Sequence, residues 1–194
     1  MSGSSTMDPE LAGRIRVVIL DADGVLTDGG IYVSDGEREP FEGRRFHVHD
    51  GVGMLMLRRA GIVVAIVSGK LSEAVRSRAA GLGLEEVHQV DPHDKLPTVE
   101  AVLERAGADW DDTAYLADDI ADLPVLGQVG LPCAVANAAR EVREVAAWTS
   151  QVPGGSGAVR EFAEALLEAR REWTPLVEAY VEECLTRWRA GRDA

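Results

Sequence analysis

The chain is 194 residues long, 46% hydrophobic and 27% charged, the composition of one globular domain with a core of ordinary depth rather than of a disordered segment. Its net charge of −13 argues against nucleic acid or an anionic membrane as a partner, so an anionic substrate needs a local positive site. Cys133 and Cys184 lie far apart without metal-ligand spacing, which reads as two buried thiols in a reducing cytoplasm; no signal peptide is visible, and no apolar run approaches the ~20 residues of a membrane span.

In chain order, residues 1–13 read as a flexible N-terminus, small and polar at its start. Ile15 to Leu20 is an apolar strand, and it runs into Asp21-Ala22-Asp23-Gly24-Val25-Leu26-Thr27-Asp28. The strand thus ends by releasing two carboxylates, one residue apart, onto a glycine-relaxed turn. Residues 29–48 break the pattern. Ile31-Tyr32-Val33, the turn signal Ser34-Asp35-Gly36-Glu37, Phe41 and the run Arg45-Phe46-His47-Val48 predict a β-hairpin, projecting over the site or toward another subunit. His47 and His49 would share a face of its second strand; without a third ligand nearby they read as a surface or subunit contact.

Beyond the hairpin, helical and strand patterns alternate. Gly53 to Ala60 reads as a helix, Ile62 to Val67 as a strand, Ser72 to Leu82 as a helix and Glu86 to Val90 as a weaker strand. Asp94 to Ala106 is helical, Thr113 to Ala117 a short strand, Leu123 to Val129 a short helix and Cys133 to Ala136 another strand. Strands apolar on both faces, alternating with helices, imply an α/β fold: a parallel sheet flanked by helices. The tail is helical. Val159, Phe162, Ala163, Leu166 and Leu167 form one stripe over Ala158 to Glu172, and Thr174-Pro175 restarts a helix. The second stripe, Val177, Val181, Cys184, Leu185 and Trp188, needs a cover, its own domain first and a neighbouring subunit next. Residues 14–172 therefore read as one domain and 173–194 as a helical extension.

In such a sheet, ligands bind beyond the carboxyl ends of the strands. Asp21 and Asp23 follow the first strand, Ser68-Gly69-Lys70 the second, Lys95 the third, and Asp118-Asp119 with Asp122 the fourth. The fold would bring these groups, spread over about a hundred residues, into one cleft. Together they suit phosphoryl transfer. Asp21 is the candidate nucleophile and Asp23 the acid/base. Mg²⁺ would be held by Asp21, the main-chain carbonyl of Asp23, and Asp118. Ser68 and the amides near Gly69 would bind phosphate, with Lys95 supplying positive charge. Singly, each group has a plainer reading as a turn, a cap or a surface lysine. The set in this order does not. Gly154-Gly155-Ser156-Gly157-Ala158-Val159-Arg160-Glu161 could expose amides and bring Arg160 to a carboxylate or phosphate, or could simply start the tail helix. The four tryptophans read as packing residues.

The run from Asp21 to Gly29, with Ser68, Lys95 and Asp118-Asp119-Ile120-Ala121-Asp122, resembles the four motifs of the haloacid dehalogenase superfamily in its capless phosphatase branch. Leu26-Thr27-Asp28-Gly29, Asp50-Gly51-Val52-Gly53, Val75-Arg76-Ser77-Arg78 and the run from Gly154 to Glu161 narrow it to the 3-deoxy-D-manno-octulosonate (KDO) 8-phosphate phosphatases and their sialic-acid-type relatives. The resemblance spans Arg16 to about Leu167. It implies a Rossmann-like, Mg²⁺-dependent phosphatase for a phosphorylated sugar acid, with no cap domain. It further implies an aspartyl-phosphate intermediate, a cytoplasmic homotetramer joined through the hairpin, and an active site completed by a neighbouring chain. Asp119 and Asp122 would support the metal site, with Lys70, Arg78 and Arg160 as substrate contacts. Three features depart from the pattern: Ala117 replaces a usual glycine, the stretch from Gln89 to Lys95 is one residue longer, and the tail extends past the common end. The rival readings are a catalytically silent relative kept for assembly or regulation, a phosphatase for another sugar or nucleotide phosphate, and a receiver-type switch. The order of the acidic motifs argues against the switch.

Overall fold

The computed structural model describes residues 6–34 and 42–192. The chain begins with α1 (Pro9–Arg14) and β1 (Val17–Leu20), followed by the hairpin strands β2 (Tyr32–Val33) and β3 (Glu42–Gly43). Next come α2 (Val48–Arg59), β4 (Val63–Ser68), α3 (Glu73–Gly81), β5 (Val87–Gln89), α4 (Lys95–Ala106) and β6 (Thr113–Ala117). The C-terminal part holds α5 (Leu123–Leu126), β7 (Leu131–Ala134), α6 (Arg140–Val145), β8 (Trp148–Thr149), α7 (Ala158–Ala169) and α8 (Trp173–Ala190). Among these, six strands form one parallel sheet in the order β5-β4-β1-β6-β7-β8.

β1 sits inside the sheet, with Leu20 opposite Ile66 on one side and Leu116 on the other. Its four residues, Val17, Val18, Ile19 and Leu20, are wholly buried, because helices cover both faces. Each such side chain is worth about 1.5–3 kcal/mol over its exposed state, so the strand that delivers the acidic turn is among the least mobile parts of the chain. α7 closes one face with Val159, Phe162, Ala163, Leu166 and Leu167, at helical spacing and all buried. Trp148 of β8 meets Phe162 edge-on at 5.6 Å.

Several expectations need correction. Residues 9–14 are helical rather than flexible: Pro9–Arg14 is capped by Asp8 accepting from the Glu10 amide, and Ala12 is buried. The run from Arg45 to Val48 is not a strand. Phe46 makes a single bridge to Thr27, and α2 already begins at Val48, with Asp50 in its first turn where a carboxylate suits the helix dipole. His47 therefore precedes a helix and His49 lies within it, their rings touching edge-on at 4.9 Å. The Asp35-Gly36 turn and Phe41 lie outside the described residues; β2 and β3 pair antiparallel, Tyr32 opposite Gly43. Sequence reasoning also missed α6 and β8, six and two residues long.

α8 departs from the expected packing. The face it turns inward carries Trp173, Leu176, Tyr180 and Glu183: Arg59 of α2 pairs with Glu183 at 2.7 Å and lies over the Tyr180 ring. Val181, Leu185 and Trp188 are left exposed, and Cys184 is exposed too, so only Cys133 is a buried thiol. Among the described residues no helix is long and apolar enough to cross a membrane.

Candidate active site

β1 is flanked by β4 on one side and β6 on the other, so the carboxyl ends of these three strands meet where the strand order reverses. A cleft of about 310 Å³ opens there. It is lined by Asp21, Asp23, Gly24, Gly29, Ser68, Gly69, Lys70, Pro92, Lys95, Asp118, Asp119, Ala121 and Asp122. Arg78 and Arg160 are not in this lining. Arg78 borders a small cavity with His47, Asp50 and Phe46, while Arg160 pairs with Glu164 at 2.6 Å and lies over Trp173.

Asp21 is held as an extension of the sheet, its amide donating to Leu116 O at 3.1 Å. The chain then turns at Gly24, whose φ of 87° suits glycine, and the Thr27 hydroxyl accepts from the amides of Gly24 and Gly29. A Cβ at Gly24 would lie 2.0 Å from Asp118 Oδ2, so the missing side chain is what lets the second acid approach. The glycine-rich loop backs this turn. A Cβ at Gly154 would lie 1.7 Å from Gly24 O, and the Gly155 amide donates to Val25 O at 2.9 Å. Its glycines thus serve close packing behind the turn and do not line the cleft.

The third strand delivers Lys95 through a short connection. The Gln89 side-chain amide clamps both backbone groups of Ser72, and Asp91 accepts from His93 N, capping one tight turn over Pro92–Asp94. That turn leads directly into α4, which starts at Lys95. Its Nζ lies 3.0 Å from Asp21 Oδ1 and 2.6 Å from Asp122 Oδ1. Ala117 sits fully buried at the end of β6, opposite Ala134, and needs no left-handed backbone there. Ser68 is buried at the end of β4, its hydroxyl within reach of the Lys70 backbone.

Three acids meet one ammonium. Asp21, Asp118 and Asp122 each offer an oxygen within 4.8 Å of the others. Burial, reinforced by the charge of Asp122 and opposed by Lys95, pushes Asp21 up to about 8. Burial and the neighbouring Asp122 and Asp119 push Asp118 up to about 7. Asp122 is raised too, by burial first, although Lys95 and Tyr115 oppose the shift. Burial works against the charge of Lys95, but Asp21 and Asp122 outweigh it and hold its pKa above the usual value. Among the described residues one cation faces three carboxylates and does not balance them, and Asp122 Oδ2 is buried without a partner. An all-oxygen, anionic set of this kind fits a hard divalent cation.

Sequence reasoning missed two partners of this cluster. Tyr115, wholly buried in β6, donates to Asp122 Oδ1 at 2.7 Å; in the sequence it reads as an ordinary strand aromatic. Arg44 donates to Asp23 through Nε at 2.6 Å and through Nη2 at 3.4 Å. Only the adjacent basic pair Arg44-Arg45 after the hairpin signal could have pointed to it. Asp119, by contrast, accepts from the Ile120 amide and is exposed, a local cap at the cleft's edge.

Residues 90–161 match the family model of the haloacid dehalogenase-like hydrolases. The chain is 38% identical over 159 residues to the 3-deoxy-D-manno-octulosonate 8-phosphate phosphatase KdsC of Escherichia coli (strain K12), covering 82% of each. It is similar to the KDO 8-phosphate phosphatase of Moraxella catarrhalis, solved with a magnesium ion, a phosphate ion and a KDO molecule. The TM-score is 0.83 at 31% identity, over 89% of this chain and 97% of that one. The cobalt-bound phosphatase of Haemophilus influenzae gives 0.75 at 37% identity, over 82% and 91%.

Proposed function

The chain belongs to the haloacid dehalogenase-like hydrolase family that includes the KDO 8-phosphate phosphatases, and from that premise we propose that it hydrolyses the phosphomonoester of an acidic eight- or nine-carbon sugar. The observation that carries the reading is the Asp21–Lys95–Asp122 cluster at the mouth of β1, with Asp118 beside it. Asp21 Oδ1 is held by Lys95, which leaves Oδ2 as the oxygen that attacks phosphorus. The P–O bond to the sugar breaks as the aspartyl phosphate forms, and Asp23, carrying a proton in the substrate complex, gives it to the departing sugar oxygen. Asp23 then takes a proton from the water that opens the aspartyl phosphate, which releases inorganic phosphate and restores Asp21 as a carboxylate and Asp23 as an acid. Lys95, Ser68 and the Gly69 amide stabilise the phosphoryl oxygens, and Lys70 at the cleft's rim faces the sugar.

Asp21, Asp118 and the main-chain carbonyl of Asp23 would hold Mg²⁺, with Asp122 fixed behind them by Lys95 and Tyr115. When bound, the ion supplies the positive charge that lets an anionic nucleophile meet an anionic phosphate. Residues 14–172 form the phosphatase domain and 173–194 its extension. The exposed Ile31, Tyr32 and Val33 of the hairpin support a homotetramer joined there, and two unpaired cysteines support a cytoplasmic setting.

The direct test is a panel of phosphorylated octulosonates, nonulosonates, hexoses and nucleotides assayed with Mg²⁺. An octulosonate 8-phosphate or nonulosonate 9-phosphate is expected to exceed the best hexose phosphate by about tenfold or more in kcat/KM. A preference for a nucleotide or a neutral hexose phosphate overturns the substrate assignment.

Metal binding should be linked to pH. Asp21 and Asp118 have folded-state pKa values raised to about 8 and about 7, above those of the unfolded chain. Without metal the folded state therefore holds extra protons between about pH 4 and pH 8, and stability falls as pH rises through that window. Mg²⁺ needs the ionised carboxylates, so its effect grows in the same direction. Thermal melts are expected to show a Mg²⁺-induced rise in Tm of several degrees at pH 8, shrinking to about 1 °C at pH 5.5. An equal rise at both pH values would contradict the assignment of these acids.

A further inference from the structure

A chain of ion pairs connects two residues of the cleft lining, Asp23 and Lys70. Arg44, just past β3, contacts Asp23 at 2.6 Å on one side and Glu42 Oε1 at 2.6 Å on the other. The same Glu42 oxygen lies 3.4 Å from Lys70 Nζ, in the loop after β4. Through Arg44, Glu42 thus links two residues of the cleft lining, Asp23 and Lys70. Its links are unequal. The Arg44 side chain is fully covered, with an acid on either side. The Lys70 contact is long, and both partners are nearly half-exposed, 46% and 40%, the kind of pair that water and salt loosen readily.

The mechanism uses Asp23 and places Lys70 against the sugar, but gives Glu42 no part. In a chain of net charge −13, Glu42 is a carboxylate seated between two cations at the rim of an anion-binding cleft. We propose that Glu42 is a built-in competitor for the substrate's own carboxylate, occupying the Arg44–Lys70 seat when the cleft is empty and yielding it when a sugar acid binds. This rests on the reading of the substrate as a phosphorylated sugar acid. The exchange replaces one carboxylate by another, so neither cation is left unpaired while substrate is bound. After hydrolysis the product keeps only its carboxylate as an anchor, and the return of Glu42 to Lys70 displaces it. A phosphomonoester too short to reach the rim coexists with Glu42 and is indifferent to it.

The test is Glu42→Gln, which keeps the size of the side chain and removes its charge. Calorimetric titration with free 3-deoxy-D-manno-octulosonate is expected to give a Kd about two- to fivefold lower in the variant, the weight of an exposed ion pair. The KM for the octulosonate 8-phosphate should fall by a similar factor. The KM for glycerol 3-phosphate should stay within about twofold, because that ester ends short of the rim. In a Lys70→Gln background the effect of Glu42→Gln should shrink, as coupled partners require. An unchanged Kd, an equal gain for glycerol 3-phosphate, or additive effects of the two substitutions would each overturn the proposal. If wild type binds free octulosonate in this Glu42-dependent way yet does not hydrolyse its 8-phosphate, the substrate assignment fails and the competitor stands.

Discussion

Asp21→Asn is expected to lower turnover by roughly 10⁴-fold or more while making the metal-free protein more heat-stable at pH 8. The two effects have one cause. Asp21 is pinned by its amide bond to Leu116 O and by Lys95 at 3.0 Å, so asparagine can take the same place with the same outline. What it lacks is the ionised oxygen that attacks phosphorus. It also lacks the charge whose burial pushes the pKa of Asp21 up to about 8. The folded-state pKa lies above the unfolded value, so the cost of this group grows from about pH 4 and levels off above about pH 8. The gain in Tm from asparagine should follow that curve, absent below about pH 4, large at pH 8 and levelling off above it. Steady-state kinetics with Mg²⁺ and thermal melts with a chelator read the two arms separately. Turnover within a hundredfold of wild type would remove Asp21 as nucleophile. Lost turnover without a pH-dependent gain in Tm would mean the side chain is ionised without strain in the resting fold.

Much of this site could be read from the sequence because its parts hang on strand ends. Each apolar run stops where its polar residue begins, and a parallel sheet then forces Asp21, Ser68 and Asp118 to one edge. Lys95 was legible for the same reason, even though the Pro92–Asp94 turn that sets its reach could not be drawn beforehand. The residues that were missed reach the site by other routes. Arg44 comes to Asp23 from the hairpin, and its position depends on how β2 and β3 leave the domain. Tyr115 looks like a core aromatic; only the height of β6 against β1 puts its hydroxyl on Asp122. The α8 stripe was misread because two apolar faces of one helix compete. Tyr180 with Arg59 over it and Trp173 with Arg160 over it took the domain side; Val177 is half-buried, and Val181, Leu185 and Trp188 stayed outside.

Removing Lys95, the one cation of the cluster among the described residues, should cost more stability than other changes in the cleft. Lys95 is 3% exposed and lies within 3.0 Å of Asp21 and 2.6 Å of Asp122, so Lys95→Met fills the space but leaves two buried carboxylates without their ammonium. Breaking a buried pair on one side costs about 3–5 kcal/mol, which in a chain of this size lowers Tm by about 10 °C. Turnover should fall by about 10²–10³, the usual weight of a fixed charge facing the transition state. The size of the stability loss should depend on pH. Lys95 holds the acids' pKa values down, so without it they stay protonated to higher pH, and the penalty grows from pH 5 to pH 8. Adding Asp122→Asn to Lys95→Met removes one stranded charge and should recover part of the lost stability, though asparagine alone, in the presence of Lys95, should not stabilise by as much. Chemical denaturation of the four proteins at both pH values closes this cycle. A Lys95→Met loss below about 1 kcal/mol, or one equal at pH 5 and pH 8, would show that the ammonium is not what holds the acids together.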